Sequence, residues 1–219
     1  MQNEFLELGN RIPILKIGIP PMFSTIFFPE VINAFELHHP DIQIELDEFG
    51  SVRACNLVQE EKLGLAIVNM EQFNIDKFES RVLAKEQLVY VVSKNHPMSG
   101  KKYMTIEDFK DEKLVMFNVD SVQNELLKNR FDGLNISPHI IMRSSQLYTT
   151  LKFVDKGNCG CFLLSDMLPH FREYVGIPLK PSIDVKIGII WKKENFLSHS
   201  AQLFIDFAMQ YCSEKIITP

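Results

Sequence analysis

No apolar run in this chain approaches the ~18 residues that a helix needs to cross a bilayer. The opening MQNEFLELGNRIP lacks the basic start and apolar centre of a secretory signal. Cysteine is scarce, and Cys55, Cys159, Cys161 and Cys212 form no C-x-x-C pair. They read as reduced, buried thiols of a cytosolic protein. Cys159-x-Cys161 has no neighbouring histidine to complete a metal site. His38, His39, His96, His139, His170 and His199 show no metal spacing either, so neither a metal nor another cofactor is expected. The chain has no G-x-S-x-G elbow, no H-E-x-x-H, no phosphate-cradling P-loop and no G-x-G-x-x-G, so an enzyme is not expected. Basic residues are outnumbered, 23 to 28, giving a net charge of −5. That argues against a nucleic-acid face in this piece, because phosphate binding wants clustered Lys and Arg. Lys101-Lys102 and Lys192-Lys193 are only pairs, which a solvated surface explains.

What is present is a strand–helix alternation. Ile14, Leu15, Ile17 and Ile19 make a strand-length apolar run that Pro20-Pro21 stops. Ser24 and Thr25 are helix-capping types, and Val31, Ile32 and Phe35 fall on one helical stripe that Pro40 ends at His38-His39. Ile42 to Leu46 alternates as a half-buried strand. Ser51 is the expected cap of a helix burying Ala54, Leu57 and Val58, and Leu63–Val68 is the third strand. This order predicts a parallel sheet with right-handed crossovers.

The alternation then runs again. Gln87–Ser93 is a strongly apolar strand, and Thr105 with Asp108 forms a capping-box variant. Strands are expected at 114–117, 138–142, 160–164 and 186–191. Helices open at Asp120 or Ser121, at Ser144 or Ser145, and at Ser198 or Ser200. The last carries Ala201, Phe204, Ile205 and Ala208 at helical spacing. Two α/β lobes joined near Val91–Lys94 and near Ile189–Lys192 are the simplest architecture. Residues 4–8, followed by Gly9-Asn10, read as the last turns of a helix and its stop.

LKIGIPP, PEVINAFELHHPDIQIEL, LGLAIV, LVYVVSKNHP and IGIIWKKENFLSHSAQLFIDF occur in that order and spacing. The succession resembles the effector-binding domain of LysR-type transcriptional regulators over nearly the whole chain. PPMFSTIFFP and PHIIMRSSQ look most like a branch acting in bacterial carbon and overflow metabolism. The resemblance implies an α/β, type II periplasmic-binding-protein-like fold with two lobes and two hinge crossover strands. Residues 13–92 and 192–219 would form lobe I, residues 93–191 lobe II, and residues 1–12 the remnant of a linker helix. It also implies side-by-side homodimers through this domain, with tetramers open to the full-length protein. DNA would be met only through a winged helix-turn-helix missing here. Gly64 and Ser165 depart from the family, which usually carries an aspartate and a proline there.

In such a fold the ligand lies between the lobes, where helix N-termini converge. Carried over, the first lobe would offer Ser24, Thr25 and Ser51, with Met22 and Phe23 as an apolar wall and Asn69 after the third strand. The second would offer Asn118, Ser121, Gln123, Ser145 and Gln146. Hydroxyls, amides and backbone N–H groups at such corners bind a carboxylate without a buried arginine, although Arg53 and Arg143 stand close in sequence. Each Ser or Thr here is also, more plainly, an N-cap worth ~1 kcal/mol. The set is what points to a small-molecule effector, expected to be a carboxylate, sensed in the cytoplasm. The alternative is a stand-alone solute-binding protein of a transporter, against which the absent signal peptide counts.

Overall fold

The computed structural model describes residues 13–26, 28–71, 75–193 and 197–217. The helix tail expected at Glu4–Leu8 and its stop at Gly9-Asn10 lie outside the described residues. β1 (Ile14–Ile19) turns at once into α1 (Pro21–Ile26), and α2 (Phe28–His38) follows. Proline is tolerated as the first residue of α1 because its missing N–H would have had no helical partner. Ser24 and Thr25 therefore do not cap. They sit inside the turn, with hydroxyls 2.8 and 2.9 Å from the Pro21 carbonyl.

β2 (Gln43–Glu48), α3 (Ser51–Gln59) and β3 (Leu65–Asn69) complete the first run. β1 pairs in parallel with both β2 and β3, as the strand–helix alternation predicts. β2 is an edge strand, so the face expected to be half-buried is only partly covered and Leu46 remains exposed. Gly50, not Ser51, is the N-cap of α3. Ser51 is the first helical residue and is buried. The apolar stripe of α3, Ala54, Cys55 and Val58, packs on Ala66, Val68 and Ile190.

β4 (Phe78–Ser93) is longer than its apolar half and belongs to two sheets. Phe78–Gln87 pairs with β9 (Asp184–Lys192), which also pairs with β3. Leu88–Ser93 pairs instead with β7 (Gly160–Leu164) and β8 (Tyr174–Pro178). The chain thus crosses from one sheet to the other between Gln87 and Leu88, and returns just before Asp184. At that point the Leu88 N–H donates to the Ile183 carbonyl at 2.9 Å. The expected joints at Val91–Lys94 and Ile189–Lys192 fall inside the sheets instead. The reason is that FESRVLAKEQ is too charged for its strand to be seen from apolar runs, so β4 begins earlier than the pattern implies.

The second sheet continues through β5 (Lys113–Met116) to β6 (His139–Arg143), both parallel to their helix-linked neighbours. α4 (Val122–Gly133) and α5 (Leu147–Lys156) cover it, burying Leu127, Phe131, Leu151 and Val154. Thr105 caps the short turn Ile106–Phe109, and its N–H donates to Asp108 at 2.8 Å. α6 (His199–Ile217) returns to the first sheet, where Phe204 meets Phe35 edge-on at 5.2 Å. All four cysteines are buried and free, and burial pushes the Cys55 thiol up to about 12.

Candidate functional site

The C-terminal ends of β1, β2 and β5 and the starts of α3 and α4 meet around one cavity of about 170 Å³. That is below the ~300–1000 Å³ of pockets for drug-sized ligands, so the space suits a small metabolite. The first lobe contributes Pro20, Pro21 and Met22 from the β1–α1 turn, and Glu48, Phe49, Gly50, Ser51 and Arg53 from the β2–α3 turn. The second contributes Phe117, Asn118, Asp120, Ser121 and Gln123 around the start of α4, with Ser145 before α5.

Two polar side chains on the cavity wall are almost fully enclosed. Ser51 is 2% exposed, and its Oγ accepts the Asn69 N–H at 3.1 Å. That bond uses a lone pair and leaves the hydroxyl hydrogen free for a ligand. Gln123 is 4% exposed, and its Oε1 accepts the Ser121 hydroxyl at 2.7 Å. Its amide nitrogen has no hydrogen-bond partner among the described residues, while Gln123 lines the cavity. Among the described residues the sealed side-chain donor without a partner is Asn69 Nδ2, whereas the Ser51 hydroxyl hydrogen and the Gln123 amide nitrogen can each take an acceptor from the cavity. The N-termini of α3 and α4 add free backbone N–H groups and positive dipole ends.

Of the residues expected at the site, Met22, Ser51, Asn118, Ser121, Gln123 and Ser145 line this cavity. The others stand elsewhere. Ser24 bonds to the Glu48 carboxylate and to Pro21, and Thr25 to Pro21, so both hydroxyls are occupied by their own corner. Phe23 is buried beside a smaller apolar cavity that also touches Leu83, Glu86 and Met167. Asn69 is fully enclosed, with Oδ1 accepting the Glu71 N–H at 3.0 Å and Nδ2 unpaired among the described residues. It acts on the cavity only through Ser51. Gln146 is the N-cap of α5, and its side chain accepts the Thr149 hydroxyl at 3.0 Å.

Arg143 is committed to Asn124 Oδ1 at 2.6 Å and to the Phe117 carbonyl at 3.2 Å. Arg53 is on the cavity wall, with its guanidinium 4.8 Å from the centre of the Phe49 ring. Glu48, which reads from sequence as a solvated charge at a strand end, also lines the cavity. So do Gly50 and Asp120, and they face each other. A Cβ on Gly50 would lie 2.9 Å from both the carbonyl oxygen and Oδ2 of Asp120. The two lobes therefore touch beside the cavity, and only glycine fits there without a shift. Position at a strand C-terminus was the signal that could have flagged Glu48. Gly50 carried none.

Comparison with known proteins identifies the family and the fold. YwbI, an HTH-type transcriptional regulator of Bacillus subtilis (strain 168), is 28% identical over 201 residues, covering 90% of this chain and 66% of YwbI. This chain thus spans about two thirds of the length of that relative. The regulatory domain of Synechocystis PCC6803 CcmR, solved with 2-PG, superposes with a TM-score of 0.83 at 18% identity, covering 91% of this chain and 97% of that one. The effector-binding domain of QuiR, solved with shikimate, superposes with a TM-score of 0.79 at 22% identity, covering 93% and 99%. These folds are type II periplasmic-binding-protein-like, as is this one. Residues 11–213 match the model of the LysR substrate binding domain, and the chain belongs to that family as a regulator's effector-binding domain.

Proposed function

We propose that this chain senses a small carboxylate in the inter-lobe cavity, held by Ser51, Asn118, Ser121, Gln123 and Ser145 with Met22 as an apolar wall. The observation that carries the reading is the pair of mostly buried side chains on the cavity wall with donor capacity to spare, the Ser51 hydroxyl and the Gln123 amide nitrogen. A carboxylate offers acceptors to both and to the two helix N-termini. The shikimate bound by QuiR's domain, itself a carboxylate, supports the class of ligand. Because the lobes meet at Gly50 and Asp120, a ligand between them favours one lobe angle over another. Effector binding and DNA binding by the whole protein are then coupled through that difference. The DNA would be read in the cytoplasm by a separate winged helix-turn-helix, in homodimers formed through this domain. Leu37, exposed on the outer face of α2, supports α2 as part of that contact. The regulator relatives favour this reading over a transporter's solute-binding protein.

The test is a thermal-shift screen of this chain against central-metabolism carboxylates. A ligand at ~100 times its Kd stabilises the fold by ~2.7 kcal/mol, which is ~5–10 °C for a chain of this size. Ser51→Ala should weaken a genuine hit about tenfold, the effect of one buried hydrogen bond to a charged group. An unchanged affinity in Ser51→Ala would remove the cavity from consideration. Dimerisation is checked by sedimentation, where a monomer at micromolar concentration would count against the proposed assembly.

A further inference from the structure

The cavity wall carries more negative charge than an anionic effector alone would need. Glu48 closes β2 and Asp120 stands in the turn before α4, so one carboxylate comes from each lobe. The contact of Gly50 with Asp120 holds the latter's carboxylate across the cleft, against the first turn of α3. Arg53 is the one cation among the described lining residues, and its guanidinium lies on the Phe49 ring. The lining therefore sums to one negative charge, before any ligand arrives. Opposite in chemistry, the Gln123 amide nitrogen and the Ser51 hydroxyl, on side chains that are mostly buried, offer donors to the same cavity. One cavity thus holds a donor end that attracts an anion and an acidic rim that repels a second one.

We propose that the effector is a zwitterion, an amino-substituted carboxylic acid. Its carboxylate sits on Ser51 and Gln123, and its ammonium faces Glu48 and Asp120. This rests on the cleft reading above and narrows its ligand class. A plain dicarboxylate would set its second charge against the two rim carboxylates. An ammonium there meets opposite charge and acceptor oxygens, and its hydrogens find partners that no other lining side chain offers as well.

The test is calorimetric titration of this chain with the protein L-amino acids and with 4-aminobutanoate. Each is paired with the acid in which hydrogen replaces the amino group. The expected result is at least one amino acid bound tenfold or more tightly than its deaminated partner. Asp120→Asn and Glu48→Gln should each cut that ratio severalfold, while Ser51→Ala weakens both members of the pair alike. The unliganded melting temperatures of the variants separate lost binding from lost folding. A deaminated acid bound as well as its amino partner, yet lost in Ser51→Ala, would sink the zwitterion and keep the carboxylate cleft. An amino acid whose binding ignores Ser51→Ala, Glu48→Gln and Asp120→Asn would sink both. So would a failure of every amino acid and every deaminated acid to bind.

Discussion

Phe109→Ala is expected to cost about 3–5 kcal/mol of stability, the usual penalty for emptying a fully buried aromatic site. In a chain of this size that lowers the melting temperature by ~6–20 °C. Phe109 has no solvent exposure and meets Tyr90 edge-on at 4.8 Å, Phe131 at 5.9 Å, and Phe162 in a tilted contact at 5.4 Å. Those rings come from β4, α4 and β7, so the cluster ties the sheet's central strands to its covering helix. Tyr90 cannot slide to fill the gap. Its hydroxyl donates to Glu112 at 2.8 Å, and a Cβ on Gly160 would already lie 2.3 Å from its ring. Urea unfolding followed through Trp191 is the measurement. Tyr148→Ala, at a position 75% exposed, is the control and should stay within ~0.5 kcal/mol. A loss below ~1 kcal/mol at Phe109 would mean that the lobe repacks freely around the hole.

The sequence made the fold legible wherever apolar runs met helix punctuation. α6 buries Ala201, Phe204, Ile205 and Ala208, α2 buries Val31 and Phe35 and leaves Ile32 half-buried, and the parallel pairing of β1 with β2 and β3 follows from the alternation alone. Phe109 was harder to see. It closes a four-residue turn, too short for any periodicity, and its burial depends on partners far along the chain. The first half of β4 was hidden for the opposite reason. Its charges, Glu79, Arg81, Lys85 and Glu86, resemble a loop until β9 pairs with that stretch.

The site was legible as a set of corners but not as a set of contacts. A Ser or Thr after a strand marks a turn. It does not say whether the hydroxyl points into the cavity, as Ser51's hydrogen is free to do, or back to a carbonyl of the preceding turn, as Thr25's does to Pro21. Charge was the larger omission. Glu48 and Asp120 are separated by 72 positions in the chain, and only folding sets them around one cavity. Ser165 shows the same limit. The sequence marks it only as a departure from the family's proline, whereas in the fold its hydroxyl donates to Glu86 at 2.8 Å, next to the crossing between sheets.

Glu86→Gln is expected to make the fold less sensitive to pH between about 4.5 and about 7. Glu86 is buried one residue before the end of the first sheet's share of β4, and its Oε2 also accepts the Asp166 N–H at 3.4 Å. Burial, followed by the nearby Asp166 carboxyl, raises its pKa from 4.5 to about 7, while the Ser165 bond pulls the other way. The folded chain therefore holds a proton at this site through a window in which the unfolded chain has already released it. Stability falls as pH rises across that window and levels off above it. The displacement is worth up to ~3 kcal/mol. Glutamine keeps an acceptor for Ser165 and Asp166 and carries no charge to desolvate. At pH 8 the variant should then be the more stable protein by roughly 1–3 kcal/mol, while below pH 4.5 the two should converge. Urea titrations at pH 4.5, 6 and 8 measure this directly. Parallel curves for the two proteins would show that Glu86 ionises without penalty, and that Ser165 and the Asp166 N–H already stabilise its charged form in full.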